Sequence, residues 1–454
     1  MASSPSRPLR ASAPASSPLL VDLYELTMGQ AYLAEGLAEV PATFGLFFRK
    51  LPRGWGYLLA AGLDDVLTLL ERFAFAEHDL AYLEETGLFT GELLDRLRGL
   101  RFTGEVRALP EGTPFFPQEP VLEVTAPVLE AQLVETLVLN QIHYQTLVAS
   151  KAARSVEAAR GRKLVDFGLR RTPGAEAGLK IARASYLAGF DATSNVLAGR
   201  EYGIEVAGTM AHSFVQCFED ETESFRAFAR SYPGAVLLVD TYDTVEGTRR
   251  AIAVARELAA DGHRLRGVRL DSGDLEKLSR RVRRLLDSAG FADATIFASG
   301  GIDEYELDRL LSAGAPIDGF GVGTKMAVAA DAPYLDMAYK LVAFDGKPRL
   351  KLSEGKATLP GAKQAWRSAG FDELDLAGER HDGEPLLIKA MEDGRRLWHE
   401  PLAASRERAH RARLALPRDL RALDAGAYEL RLGPALAALR DRLTSGARTA
   451  AAVP

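Results

Sequence analysis

The sequence predicts an α/β fold, an irregular α/β barrel with a second α+β domain built mainly from the N-terminal portion. Three observations carry that reading. From about Gly161 to Lys325, short apolar segments alternate strictly with helical ones. The apolar segments leave no solvent-facing side, as in a parallel sheet whose outer face is covered by helices. Seven of them fall in one short stretch, which favours closure into a barrel over an open sheet. At 454 residues, two or three domains are expected.

Residues 1–18 are rich in Ser, Pro and Ala and lack the apolar stretch of a secretory signal. Their four prolines oppose the amphipathic helix of a transit peptide, so a disordered tail is expected. An N-terminal α+β domain is expected over 19–130. In "VDLYELTMGQAYLAEG", Asp22 and Glu25 have the spacing of an N-cap and its capping-box partner. Tyr24, Met28, Ala31 and Tyr32 follow at helical spacing, and Gly36 suits the stop. "ATFGLFFRKLP" reads as a strand and "GYLLAAGLDDVLTLLERFAF" as a helix. "FTGEVRALPEGTPFFPQEPVLEVTAP" reads as short strands broken by Pro and Gly turns.

The barrel domain is expected over 131–345, entered by one long helix, "EAQLVETLVLNQIHYQTLVASKAARSVEAARG". Its strands are "KLVDFG", "FDATSN", "IEVAGTM", "AVLLVD", "LRGVRLD", "ATIFASG" and "IDGFGVGT". Helices are expected at Ala175–Ala188, Glu221–Arg230, Thr244–Ala260, Asp274–Ser288 and Asp303–Ser312, the last with Asp303 and Glu306 as a capping box and Gly314 as its stop. A C-terminal extension, 346–454, is Arg- and Leu-rich, with helices near Ala403–Arg413 and Pro434–Leu443, and packs back on the barrel or the first domain.

Composition narrows the function. A net charge of −6 argues against bulk attraction to nucleic acid or an anionic membrane. No run reaches the length of a membrane span, and a cytoplasmic location is expected. The single cysteine, Cys217, excludes an intrachain disulfide and a multi-cysteine zinc site, and reads as a small buried hydrophobe. No spacing of an EF-hand or a Walker loop is present.

Ligands of such barrels bind at the carboxyl ends of the strands. Every strand candidate here ends in useful chemistry: "DFGLRR", "DATSN", "GTMAHS", "VDTYD", "RLDSGD", "ASGG" and "GVGTK". Helix capping accounts for Asp243, Ser272 and Asp274. The glycine-rich endings Ser299–Gly301 and Gly321–Thr324 let backbone N–H groups approach a phosphate. Arg170 and Arg171 sit side by side, suited to a forked grip on phosphate or carboxylate. Arg269, Asp271 and Asp274 place a cation between acids, fit for an anionic substrate with ribose hydroxyls or Mg²⁺ beside it. His212, one of seven histidines, follows a buried strand at once.

On "DLYELTMGQAY", "DFGLRR", "GFDATSNVLAG", "GTMAHSF", "VDTYDT", "RLDSGD", "ASGG" and "GFGVGT", spanning about Val21 to Thr324, the chain closely resembles nicotinate phosphoribosyltransferase, a type II phosphoribosyltransferase. The resemblance implies a homodimer with shared active sites. It implies condensation of nicotinate with 5-phosphoribosyl-1-diphosphate to nicotinate mononucleotide and diphosphate, the first step of NAD salvage from nicotinate. It also implies coupling to ATP through a phosphohistidine, and a requirement for Mg²⁺. His212 is then the phosphorylated residue, and Asp240 the acid near it. Phe167 and Tyr24 match the aromatics that sandwich the pyridine, with Tyr24 from the neighbouring subunit. Arg269 faces the ring substituent, and Asp271 a ribose hydroxyl. Gly300, Gly301, Gly321, Gly323 and Thr324 hold the 5′-phosphate, and Arg170 and Arg171 meet diphosphate or ATP. Amide-using siblings carry a glutamate before the histidine, where this chain has Ala211. They also carry an aspartate in the segment matching "DATSN", where Ser194 stands here. A serine can donate to a carboxylate that an aspartate would repel, which favours the acid substrate.

Other readings are a nicotinamide phosphoribosyltransferase, disfavoured by Ser194, and a quinolinate phosphoribosyltransferase, which is shorter and lacks the histidine motif. A phosphate-binding barrel aldolase or isomerase would want a catalytic lysine, and only Lys325 stands at a strand end. A non-enzymatic sensor is disfavoured by the intact His212, Asp240, Asp271 and both glycine elements.

Overall fold

In the computed structural model, which describes residues 17–260, 262–353 and 357–451, two hydrophobic cores share one long helix. The tail expected over 1–18 lies almost wholly outside the described residues.

The helical pattern after residue 127 is divided in two, Val128–Leu133 and Glu135–Ala158, with Val134 between them at φ −99°, ψ 1°. No Pro or Gly marks the break. A side chain from elsewhere caps it instead: Glu25 accepts from the Thr136 N–H at 3.1 Å, satisfying one of the orphan donors of a helix start. Asp22 is the N-cap of its own helix, Leu23–Ala34, but makes no capping bond there. Its carboxylate accepts from the Thr136 hydroxyl at 3.1 Å. The pair read as a local capping box therefore serves a contact more than a hundred residues away. Beyond the break, Leu137, Val138, Ile142 and Leu147 join the first core, and Val148, Ala149, Ala152 and Ala153 join the second.

The first core is covered by a seven-stranded sheet in the order 347–348, 337–344, 41–48, 122–127, 105–108, 388–392, 395–396. Its neighbours are all antiparallel. Segments from both ends of the chain build it: Met337–Phe344 pairs with Pro41–Phe48, and Ile388–Glu392 with Glu105–Ala108. The rest of the C-terminal region adds a four-stranded sheet, 384–385, 363–368, 371–376, 429–432, and the helix Leu402–Ala415, which packs on Ala175–Ala188 of the barrel.

The second core is the α/β barrel. Six parallel strands run in the order 192–193, 163–166, 319–322, 295–298, 267–270, 236–238. The expected seventh, 204–210, is reduced to a single parallel bridge, Val206 to Thr193. Among the described residues no ladder joins it to Val236–Leu238, so the barrel is irregular at that seam. The helices Ala175–Ala188 and Thr244–Ala260 match their expected ranges. Asp243, Asp274 and Asp303 cap the helices that follow them, through bonds to the N–H groups of Val245 and Glu246, Lys277, and Glu306. Ser272 does not cap; its hydroxyl donates to Asp240 at 2.7 Å.

Candidate active site

Four strand ends meet around one imidazole. His212 opens the short helix His212–Gln216, six residues past the bridge at Val206. Its Nδ1 lies 3.1 Å from the Thr241 hydroxyl, after Val236–Leu238. Its Nε2 lies 3.8 Å from Asp271 Oδ2, after Gly267–Leu270. Asp271 Oδ1 in turn accepts from the Ser299 hydroxyl at 2.5 Å, after Thr295–Ala298. The imidazole is 38 % exposed and the Asp271 carboxylate 35 %, so a ligand can reach both. The acid facing the ring is thus Asp271. Asp240 stands one step behind, its Oδ2 accepting from the Asp271 N–H at 2.8 Å and from Ser272. Asp240 Oδ1 is buried with no partner. Thr241 escaped sequence reasoning although it adjoins Asp240 in "VDTYD". Which of two successive polar residues turns inward at a strand end depends on where the ladder stops.

A second group stands where a barrel cavity of about 270 Å³, lined mostly from the amino ends of the strands by residues such as Lys163, Thr295 and Asp318, reaches up to Phe167, Phe297 and Thr209. The Phe167 ring packs 6.0 Å from Phe297, and the Arg269 guanidinium lies 5.9 Å from its centroid. Arg269 is 11 % exposed, bonds the Thr209 hydroxyl, and lies 3.8 Å from Asp271 Oδ1. Its Nε is buried with no partner. Burial pushes the guanidinium below its usual range, and the nearby Arg170 pushes the same way, against the opposing pull of Asp271 and Asp240. A desolvated cation with an unused donor beside an aromatic face can pair with a carboxylate carried on an aromatic ring.

The glycine turns divide by role. Gly300 is left-handed, φ +89°, and a Cβ there would stand 2.0 Å from the Asp271 carbonyl oxygen. Gly301, φ +67°, faces open space. Gly321 and Gly323 are fixed by Phe167: a Cβ at 321 would lie 2.5 Å from its ring, and one at 323 2.8 Å from its carbonyl oxygen. A Gly321→Ala variant is expected to push the Phe167 ring aside, costing about 1–3 kcal/mol in chemical denaturation and raising the KM for the aromatic substrate. Thr324 is exposed at the start of Thr324–Ala327.

Arg170 and Arg171 are exposed in the turn Leu169–Arg171, and no ion pair engages either among the described residues. Ser194 is half-buried and donates its N–H to the Asp166 carbonyl at 2.9 Å. Asp166, also missed, is buried beneath this rim, accepting from the Gly168 N–H and the Thr193 hydroxyl at 2.7 and 2.8 Å. Burial pushes its carboxyl up to about 6, against the opposing effect of those two bonds. The folded state therefore holds a proton that the unfolded chain has released. The stability this gives is complete below the ordinary carboxyl value of 3.8 and is lost as pH rises through about 6. Between pH 4 and 8, an Asp166→Asn variant should gain on the order of 3 kcal/mol relative to wild type in denaturant midpoints.

Tyr24 is 44 % exposed on Leu23–Ala34, a helix that packs on Val128–Leu133 and Gly91–Arg98 of its own domain. Burial, with Glu135 and Glu25 nearby, raises its phenol above the usual range. Cys217, expected buried, is exposed: it follows the last turn of His212–Gln216, whose inward side is taken by Val215.

Comparison with known proteins agrees along most of the chain. The profile of the nicotinate phosphoribosyltransferase N-terminal domain matches residues 19–143, and that of the nicotinate phosphoribosyltransferase family matches residues 162–357. The chain is 54 % identical over 419 residues to nicotinate phosphoribosyltransferase pncB2 of Mycobacterium tuberculosis, covering 90 % of each. It is 44 % identical to the nicotinate phosphoribosyltransferase of Bacillus subtilis, over 77 % of this chain and 72 % of that one. The crystal structure of human nicotinic acid phosphoribosyltransferase superposes with a TM-score of 0.84 at 32 % identity, covering 93 % of this chain and 99 % of the human one.

Proposed function

The chain belongs to the nicotinate phosphoribosyltransferase family, and on that premise we propose that it condenses nicotinate with 5-phosphoribosyl-1-diphosphate at the barrel rim, coupled to ATP through His212. The observation that carries the residue assignment is the meeting of His212, Thr241, Asp271 and Ser299 from four separate strand ends.

Nicotinate lies against Phe167 with its carboxylate toward Arg269, and Ser194 near the same end. The ring nitrogen is thereby aimed at C1 of the ribose, replacing a chance encounter by a held geometry. As diphosphate leaves, C1 gains oxocarbenium character, and Arg170 and Arg171 stabilise the departing charge. Gly300, Gly301 and the Thr324 turn hold the 5′-phosphate, and Asp271 a ribose hydroxyl.

In the ATP step the reacting tautomer carries its proton on Nδ1, where the Thr241 hydroxyl 3.1 Å away can accept it, and the Nε2 lone pair is free. Nε2 attacks the γ-phosphorus, the bond to the bridging oxygen breaks, and ADP departs. Asp271, 3.8 Å from Nε2, offsets the positive charge that the ring gains. Water later cleaves the N–P bond to release inorganic phosphate.

Among the described residues no group of three or more His, Cys, Asp or Glu side chains could hold a metal ion. Mg²⁺ commonly binds through one or two carboxylates plus substrate phosphates. The unpartnered Asp240 Oδ1 and the Asp271 carboxylate fit that manner of binding. When bound, Mg²⁺ supplies charge neutralisation to the leaving diphosphate.

A homodimer fits the apolar side chains left uncovered in one chain. Leu23, Tyr24 and Met28 are exposed on the first helix, and Val196 and Leu197 next to Ser194. A partner's first helix laid on this rim would bring the second aromatic to the pyridine. No helix among the described residues is long and apolar enough to cross a membrane. A cytoplasmic site of action is consistent with a role in NAD salvage.

Product identity tests the reading. With 5-phosphoribosyl-1-diphosphate, nicotinate should give nicotinate mononucleotide, faster with ATP. Nicotinamide should give little product under the same conditions, and equal turnover of the two would overturn the acid assignment.

A further inference from the structure

Two glycine turns can grip one phosphate only if their backbones keep a fixed separation. Here the turns follow different strands, Thr295–Ala298 and Gly319–Val322. The ladder between these neighbouring strands ends at Ala298 and Phe320, and beyond it the two segments are tied by a largely buried cluster that the mechanism above does not use. Lys151, on Glu135–Ala158, has a side chain only 2 % exposed. Its ammonium donates to Glu304 Oε1 at 2.7 Å and also to the Asp331 carboxylate. Glu304 is the first residue of the helix that follows the Ser299–Gly301 turn. Asp331 lies seven residues past Thr324, behind the other turn. Arg154, one helical turn on from Lys151, donates to Glu304 at 3.0 Å, and the Trp55 indole donates to Asp331 at 3.1 Å. In front of the cluster, Lys325 Nζ meets Asp303 Oδ2 at 2.7 Å and joins the same two segments directly.

Two cations thus face two carboxylates, with Lys151, Arg154 and Glu304 buried and Asp331 28 % exposed at the edge. Well-packed apolar residues would stabilise such an interface as well or better, because desolvation costs offset most of the attraction. Apolar packing, however, does not fix one register. Short charge-assisted bonds from a single ammonium to two chain segments do. We infer that Lys151 is a positioning residue for the sugar-phosphate substrate: it bolts the two glycine turns to one helix and so sets the width of the 5′-phosphate site. The inference rests on the proposed assignment of that phosphate to the two turns.

Steady-state kinetics on three variants test it. Lys151→Met should raise the KM for 5-phosphoribosyl-1-diphosphate by about tenfold, keep kcat within about threefold, and leave the KM for nicotinate unchanged, as expected when only ground-state placement is lost. It should also lower the melting temperature, because Asp331 and Glu304 lose their shared partner. Adding Asp331→Asn rebalances the charge, so the double variant should recover most of the melting temperature while its KM for the sugar diphosphate stays raised. A KM that returns to wild type along with the melting temperature would overturn the positioning role, as would an equal rise in the KM for nicotinate. If Lys151→Met does not fold, the double variant and Asp331→Asn alone carry the same expectation. Gly301→Val separates the two levels. If it leaves the KM for the sugar diphosphate unchanged, the turns do not hold the phosphate and both readings fall. If it raises that KM while the double variant does not, only the bolt falls.

Discussion

Replacing His212 by alanine is expected to erase the difference between rates measured with and without ATP. ATP hydrolysis in the presence of both other substrates should fall by roughly 10³-fold or more, the scale of losing a covalent nucleophile. The ATP-independent condensation should persist, because Phe167, Arg269 and the glycine turns do not rely on the imidazole for their placement. Thr241→Val should fall in the same direction by a smaller factor. It keeps the side-chain shape but removes the hydrogen-bond partner 3.1 Å from Nδ1 that orients the ring. Initial rates of ADP and nicotinate mononucleotide release, measured in parallel, give both numbers.

Arg269→Met should produce the second large effect, on substrate choice. Wild-type Arg269 is largely buried at 11 % exposed, lacks a partner at its buried Nε, and stands 3.8 Å from Asp271 Oδ1. In the proposed site, a bound nicotinate carboxylate would complete that coordination. Removing one member of a buried charged pair costs about 2–5 kcal/mol, so kcat/KM for nicotinate should drop by about 10²-fold or more. Nicotinamide, which brings no charge to the guanidinium, should change little, and discrimination between the two should collapse. The ratio of kcat/KM for the two pyridines in wild type and variant checks this.

What the sequence made legible follows from which forces act locally. The helices Ala175–Ala188 and Thr244–Ala260 were readable to their ends because their apolar period carries the signal and, for the first, Gly189 stops it. Strand ends were readable as a polar rim because parallel strands point their carboxyl ends one way. Features built by distant partners were not. The break at Val134 needs Glu25, and nothing near Val134 announces it. Ile388–Glu392 joins the first sheet by pairing with Glu105–Ala108, a contact with no local trace. At the site, the glycines were visible, but the need for glycine at 321 comes from the Phe167 ring. His212, Asp271 and Arg269 were identifiable by type and position. That Asp271 rather than Asp240 faces the imidazole, with Thr241 on its other nitrogen, depends on side-chain directions that a period-two pattern cannot resolve at a strand end.

The most direct test is chemical. After brief mixing with γ-phosphate-labelled ATP, the protein should carry label that survives base and is lost in acid, as phosphohistidine does, and the labelled peptide should contain His212. Label that is absent, or that maps to a different residue, would contradict the proposed role of the imidazole at the meeting of the four strand ends.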